Sequence, residues 1–111
     1  MRRFEMVKKH EDFSNIINKG SKTTSKYFLI FKLPKEFIKP NFGIAIGKKV
    51  GNAVLRNKLK RQVRNIIDNN RFLFKNYYNY IIMIKKEAAI APYKILKNEL
   101  ENVLRKDKNE K

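Results

Sequence analysis

The most informative absence from this sequence is cysteine, of which there is none among 111 residues. Without cysteine the chain can form neither disulfides nor thiolate zinc sites, and it has no thiol for catalysis or redox chemistry. His10 is the only histidine, so acid–base cleavage by a pair of histidines is excluded. No apolar run approaches the length of a membrane span, and the first residues lack the apolar segment of a secretory signal. These absences favour a cytoplasmic protein that does not enter a membrane.

The charge of the chain is strongly one-sided. Lysine and arginine contribute 27 residues against 10 acidic ones, which gives a net charge of +17. Hydrophobic residues make up 42%, which is enough for a folded core and too much for a disordered basic tail. The length fits one domain, which we assign to residues 1–111. Because a compact body of this charge repels itself, we expect a polyanionic partner, with nucleic acid favoured over an anionic membrane surface.

The hydrophobic pattern predicts three helices and three strands. Strands are predicted at 27–33, 42–47 and 80–84, and the nearly all-apolar third one suits the middle of a sheet. Helices are predicted at 10–19, at 53–70 and from Pro92 onward, with a polar loop at 21–26 and a frayed tail at about 106–111. The order α-β-β-α-β-α, with allowance for one extra short strand, predicts an α/β (α+β) two-layer sandwich. The small residues Gly43, Ala45 and Gly47 alternate with larger ones, which allows another element to approach closely.

A basic segment at residues 47–64 carries seven cationic side chains and no acid. Two of the cations, Lys48 and Lys49, precede the predicted helix, for which Asn52 is the predicted N-cap. At about 100° per residue, the remaining cations and the apolar residues fall on different sides of the helix. The polar side carries Arg56, Asn57, Lys58, Lys60, Arg61 and Arg64, and the apolar side carries Leu55, Leu59, Val63, Ile66 and Ile67.

The position of these cations opposes the helix dipole. Four of them lie in the first half of the helix, namely Arg56, Lys58, Lys60 and Arg61. A cation close to the N-terminus of a helix is disfavoured by roughly 0.3–1 kcal/mol. No acid offsets them before Asp68. A solvated charged face is the ordinary explanation of a basic helix, but the density of cations and their placement favour a bound polyanion here. Phosphates would complete the arrangement, because helix N-termini and arginines both bind phosphate.

Catalysis by the protein itself is disfavoured by the distribution of its carboxylates. Cleavage with two metal ions needs clustered carboxylates, and only Glu11 and Asp12 are adjacent in the sequence. Consecutive residues of a helix do not converge on one metal. The glycines at 47 and 51 also lack the spacing of a phosphate-binding loop.

A resemblance to a known family becomes specific within the basic segment. The run Gly51-Asn52-Ala53-Val54, followed by Arg56-Asn57-Lys58-Leu59-Lys60-Arg61-Gln62-Val63-Arg64, resembles the signature of the bacterial ribonuclease P protein subunit. In that family a strand leads into Lys-Lys, then Gly-Asn-Ala-Val, then Arg-Asn-x-x-Lys-Arg-x-x-Arg on a helix, and every fixed position is filled here. Glu11-Asp12-Phe13, the aromatic strand and the apolar strand agree as well, so the resemblance covers nearly all of the chain.

The resemblance implies the role of a small subunit in a ribonucleoprotein that removes the 5′ leader from precursor tRNA. The catalyst would be the large RNA, with Mg²⁺ bound to RNA and no cofactor in the protein. The expected partners are ribonuclease P RNA and precursor tRNA, and we expect the free protein to be a monomer. The resemblance also implies a left-handed crossover from the second predicted strand through the basic helix, where general rules favour a right-handed one.

Two sets of binding residues follow from the resemblance. Binding of the RNA subunit is carried over to Lys48, Lys49, Asn52, Arg56, Asn57, Lys60, Arg61 and Arg64. A cleft for the single-stranded leader, between the first helix and the sheet, is carried over to Lys9, Phe13, Ile17, Leu29, Phe31 and Lys85. Without the resemblance, the four apolar residues of the second set would be interpreted as ordinary core. Ile17 stands where the family often has an aromatic residue.

Two other functions are compatible with parts of the pattern. A non-catalytic RNA-binding protein of the ribosome or its assembly would have the same composition, and only the signature run and the leader cleft distinguish the two. A helix-turn-helix DNA-binding protein needs a helix just before its recognition helix. Here a predicted strand at 42–47 precedes the basic helix, which counts against DNA binding of that kind.

Overall fold

The computed structural model describes residues 10–109, with side chains described for residues 12–108. Within these residues one four-stranded sheet has the order β1-β2-β4-β3, with β4 antiparallel to β2 and parallel to β3. The predicted α+β class and element order are confirmed, and β1 is the extra short strand. The elements are α1 (His10–Lys19), β1 (Ser21–Thr24), β2 (Phe28–Pro34), β3 (Asn41–Ile46), α2 (Ala53–Asn69), β4 (Tyr78–Ile84) and α3 (Tyr93–Asn109).

Strand β4 lies between β2 and β3, as its apolar sequence predicted. Its alternate residues serve two separate cores. Tyr80, Ile82 and Ile84 enter the main core, which α2 and α3 close, so that the sheet and these helices form the predicted two-layer sandwich. Ile81 belongs to a smaller core on the opposite face, which α1 covers. The sheet therefore has a large hydrophobic core on one face and a small one on the other.

The buried faces of the helices follow the predicted phase. Leu96, Leu100 and Leu104 of α3 are fully buried, with Tyr93 and Val103 partly buried beside them. α2 joins the parallel strands β3 and β4, while the handedness of this crossover stays a prediction. Within the described residues, none of the helices combines the length and the apolar character that crossing a membrane requires.

Strand β1 corrects the expectation of a polar loop at 21–26. Residues Ser21–Thr24 form an edge strand that pairs antiparallel with β2, from Ser21 opposite Lys32 to Thr24 opposite Leu29. All four residues are exposed. The strand is therefore held by its backbone ladder, and its polar side chains give no alternation from which it could be predicted.

The C-terminal end of α3 corrects the prediction of a frayed tail for residues 106–109, which are helical. Lys32 Nζ on β2 donates a hydrogen bond of 2.6 Å to Asp107 Oδ1, and the two side chains are only 16% and 10% exposed. Burial lowers the pKa of Lys32, but the Asp107 carboxylate outweighs this and leaves the pKa above its ordinary value. This ion pair between β2 and α3 anchors the last turns of the helix to the sheet.

At Gly43 on β3 a side chain of α1 packs tightly against the sheet. A Cβ atom at this position would lie 2.5 Å from Phe13 Cζ and 2.6 Å from Ile81 Cδ1. The close approach that the small residues of β3 predicted is therefore made by Phe13. The absence of a side chain at Gly43 leaves room for the ring of Phe13, while α1 itself lies over β2 and β4.

We expect Gly43→Ala to destabilise the fold by about 1–3 kcal/mol, because the added methyl group overpacks the small core from two sides. Gly47→Ala is the matched control, since a Cβ atom there would meet nothing within 4 Å. Urea denaturation of both variants measures the effect. Equal stability of the two variants would contradict the tight contact between Phe13 and β3.

Candidate nucleic-acid interface

The basic helix begins where the sequence predicted. Asn52 lies in extended conformation, and its Oδ1 accepts a hydrogen bond of 2.9 Å from Leu55 N. The Asn52 carbonyl accepts the Arg56 N–H at 2.9 Å, which starts the helical ladder. The predicted N-cap is confirmed. The first turn contains no acidic residue, so the positive end of the helix dipole is not neutralised by the helix itself.

The two sides of α2 are separated as the spacing predicted. Leu59, Val63, Ile66 and Ile67 are buried in the main core, with Leu55 partly buried next to them. The side chains of the other face point away from this core. Asn57, Lys58, Arg61 and Arg64 are exposed, and Arg56 and Lys60 are half-buried. The partial burial of Arg56 and Lys60 reduces the conformational freedom that these side chains would lose on binding.

No carboxylate of residues 12–108 forms an ion pair with the cations of α2. The ion pairs within these residues join Lys32 to Asp107, Arg71 to Asp68 and Lys97 to Glu101, and none of them includes a cation of α2. Dense like charge without internal compensation is unfavourable for the protein alone. It provides a surface on which several phosphates can bind at once.

The segment before α2 extends this basic surface to the end of the sheet. Residues Lys48–Val50 form one turn of 3-10 helix in which Val50 is buried, while Lys48 and Lys49 are exposed. The buried Val50 fixes the turn to the main core. Both lysines are thereby presented beside the N-terminus of α2.

The four apolar residues predicted to line a cleft are brought together on the α1 face of the sheet. Phe13 and Ile17 of α1 pack with Leu29 and Phe31 of β2 around the buried residues Ile16 and Ile81. Their exposure differs. Phe31 is only 7% exposed, because it packs beneath α1 in the small core. Phe13, Ile17 and Leu29 are half-buried. A base could therefore reach these three residues without opening the small core, while contact with Phe31 stays a prediction.

Strand register adds two residues to this face that the sequence did not single out as contacts. Met83 of β4 lies between Leu29 of β2 and Ala45 of β3 in one row across the sheet. All three are half-buried, because α1 covers the neighbouring row of Phe31, Ile81 and Gly43 more completely. We call Leu29, Ala45 and Met83 the apolar shelf. Because the sequence of β4 is apolar throughout, it does not indicate which of its residues face α1. The pairing of β4 with β2 and β3 identifies them.

A groove connects this shelf to the basic segment. Its volume is about 350 Å³, and its lining includes Lys49, Met83, Lys85 and Lys86, with Glu87 as the one acidic residue. Lys85 Nζ donates a hydrogen bond of 2.6 Å to the Ser25 carbonyl, which fixes the side chain at this end of the sheet. Two of the three ammonium donors of Lys85 remain for another acceptor. Lys9, the other cation predicted for the leader site, lies outside the described residues.

The described part of the chain has no cluster of three or more His, Cys, Asp or Glu residues that could hold a metal ion. The most buried carboxylate away from the ion pair with Lys32 is that of Glu101, which accepts a hydrogen bond of 2.7 Å from Asn70 Nδ2. Burial raises the pKa of Glu101, but the bonds from Asn70 and Lys97 outweigh it and hold the pKa below its ordinary value. This carboxylate joins the end of α2 to α3 and takes no part in the basic surface.

Comparison with known proteins gives consistent matches along the whole chain. Residues 1–108 match the family model of Ribonuclease P. The ribonuclease P protein component of Bacillus cereus (strain AH187) is 32% identical over 108 residues, which are 96% of this chain and 93% of the relative.

Solved structures show the same fold. A Staphylococcus aureus RNase P protein mutant with defective mRNA degradation activity superposes with a TM-score of 0.89 at 29% identity, covering 96% of this chain and 90% of that one. The RNase P protein from Thermotoga maritima gives a TM-score of 0.84 over 92% of this chain and 96% of its own, and at 24% identity it supports the fold alone.

Proposed function

The chain belongs to the ribonuclease P protein family, the protein component of a ribonucleoprotein endoribonuclease, and on this premise we propose that it binds two RNAs at once. The basic face of α2 binds the catalytic RNA, and the apolar shelf beside α1 holds the single-stranded 5′ leader of precursor tRNA. The observation that carries the proposal is the groove in which Lys49 of the basic segment and Met83 of the shelf lie together. One surface can therefore contact both RNAs.

The case for binding of the RNA subunit rests on the electrostatics of α2. Its cations form no ion pair with a carboxylate among residues 12–108. Arg56 and Lys58 also lie near the N-terminus of the helix, which is the positive end of its dipole. Arg61 and Arg64 can each donate two parallel hydrogen bonds to a phosphate. Binding releases the counterions that the RNA phosphates hold, which favours association at moderate salt.

The case for the leader site rests on an apolar surface with a basic rim. Leu29, Met83 and the ring of Phe13 offer partly exposed apolar area to unpaired bases. Lys49, Lys85 and Lys86 lie at the end of the sheet, where the phosphates of the same strand can be bound. Aromatic rings stack on any base, so a site of this kind would bind leaders of varied sequence.

In this proposal the chemistry stays with the RNA. The protein orients the leader and neutralises phosphates, and Mg²⁺ is held by RNA and not by a protein cofactor site. The free protein is proposed to be a cytoplasmic monomer that meets precursor tRNA after it has bound ribonuclease P RNA.

Reconstitution with a bacterial ribonuclease P RNA tests the proposal as a whole. We expect the protein alone to cleave neither precursor tRNA nor an mRNA, and we expect RNA plus protein to remove the leader at a Mg²⁺ concentration where the RNA alone is slow. Gel analysis of end-labelled substrate measures both. If adding the protein does not increase the rate of leader removal, the proposed function is contradicted. Cleavage of mRNA by the protein alone would contradict the assignment of catalysis to RNA.

Arg64→Ala should weaken binding of the RNA subunit and reduce the slope of log K against log salt by about 0.7–0.9, the contribution of one phosphate contact. Arg64 is exposed, so its loss should leave the core intact. Arg105→Ala is the matched control, because it removes the same charge from an exposed position on α3. Filter binding over a salt series gives both quantities. If the two variants lose affinity equally, binding depends on net charge and not on the face of α2.

Phe13→Leu should weaken the holoenzyme's affinity for precursor tRNA by about tenfold, because stacking on an aromatic ring contributes roughly 1–3 kcal/mol per base. Leucine keeps most of the apolar contact with β3 and removes only the ring. Mature tRNA without a leader is the matched ligand, and its affinity should not change. An equal loss for both tRNAs would show that Phe13 does not contact the leader.

A further inference from the structure

A second exposed apolar surface lies at the end of the sheet opposite the basic groove. Among the described residues, four of the seven exposed large hydrophobic side chains belong to two neighbouring loops there. Phe37 and Ile38 lie between β2 and β3 and are 77% and 55% exposed. Phe72 and Tyr77 lie between α2 and β4 and are 63% and 50% exposed. We call these four residues the aromatic platform. Neither the fold nor the proposed leader site uses them.

The two loops of the platform are tied to each other. Tyr77 N donates to the Ile38 carbonyl at 2.9 Å, and Lys35 N donates to the Tyr77 carbonyl at 2.8 Å. These bonds hold Tyr77 at a φ of 68°, a conformation that residues with a side chain rarely adopt. A groove of about 350 Å³ between Lys39, Pro40 and Phe72 completes the surface. The aromatic side chains are thus displayed on an ordered backbone, which lowers the entropy lost on binding.

The charges around the platform favour an anionic partner. Lys35, Lys39, Arg71 and Lys75 lie within the two loops, against Glu36 as the only acid of these segments. Asp68, at the end of α2, is 3.1 Å from Arg71, so this pair adds no net charge and the excess of positive charge comes from the three lysines. A second copy of a chain with a net charge of +17 would be repelled from such a surface. Exposed aromatic rings interleaved with cations are the composition that binds single-stranded nucleic acid, through stacking and phosphate contacts.

We propose that the aromatic platform is a second binding site for single-stranded RNA, separate from the leader site. The two lie at opposite ends of β4, whose seven residues span about 23 Å at roughly 3.3 Å per residue. Phe37, Phe72 and Tyr77 stack on unpaired bases, and the neighbouring lysines contact the phosphates between them. This site does not depend on the proposed function, because it binds RNA in the free protein and needs neither the catalytic RNA nor a tRNA leader.

Binding of a fluorescent oligoadenylate octamer to the full-length protein tests the platform. The measurement is made with Phe13→Leu, which weakens the candidate leader site, and at salt high enough to suppress non-specific charge binding. We expect Phe37→Leu and Phe72→Leu, added singly, to lower the affinity by roughly 5- to 150-fold, whereas Phe72→Trp should retain it. Ile90→Ala is the matched control, since Ile90 is 92% exposed and lies far along the chain from both loops. Thermal melting confirms that each variant is folded.

An abasic strand with the same number of phosphates separates stacking from charge. We expect it to bind weakly and equally to the parent and to the platform variants. The proposal is overturned if the leucine variants bind oligoadenylate as tightly as their parent, or if the abasic strand binds as well as oligoadenylate. It is also overturned if sedimentation shows that the platform residues hold two copies together. The protein with Phe13 intact is measured in parallel, and the difference in its affinity for oligoadenylate gives the contribution of the leader site. Loss of binding at the platform and at the leader site can therefore be distinguished.

Discussion

The architecture depends on one constraint, which is that β4 is apolar on both faces. A strand of this kind must be covered from both sides of the sheet. α2 and α3 cover Tyr80, Ile82 and Ile84, while among the described helices only α1 covers the face of Ile81 and Met83. With 10 residues α1 is about 15 Å long, too short to shield the whole of this face. The apolar shelf remains partly exposed for that reason, and the candidate leader surface is the part of a core that its helix does not reach.

The packing of α2 against the main core explains why its outer face can be so basic. The helix is held by four buried aliphatic residues and by the Asn52 cap, so its stability does not depend on apolar residues on the outer face. Dipole and like-charge repulsion act against the cations on that face. The main core compensates for this repulsion, and a polyanion removes it. The fold therefore tolerates in isolation an arrangement that is favourable only with a partner.

Much of the fold was predictable because the relevant signals are local. The phase of α2, its cap at Asn52 and the buried stripe of α3 all depend on residues close together in the sequence. What could not be predicted depends on contacts between distant segments. The edge strand at Ser21–Thr24 exists through pairing with β2, and the last turns of α3 are held by the ion pair between Lys32 and Asp107. The membership of Met83 in the apolar shelf and the deep burial of Phe31 likewise follow from strand register and from the position of α1.

The two surfaces proposed to bind the catalytic RNA and the leader also differ in how their residues are distributed along the chain. The cations of α2 lie within one continuous segment, so local helix formation is enough to arrange them. The apolar shelf is assembled from residues 29, 45 and 83, and it exists only when the complete sheet has formed. Partial unfolding would remove the shelf and leave the basic segment attractive to RNA. Under the proposed function, a partly unfolded chain would bind RNA without recognising a leader, so specificity would depend on the stability of the sheet.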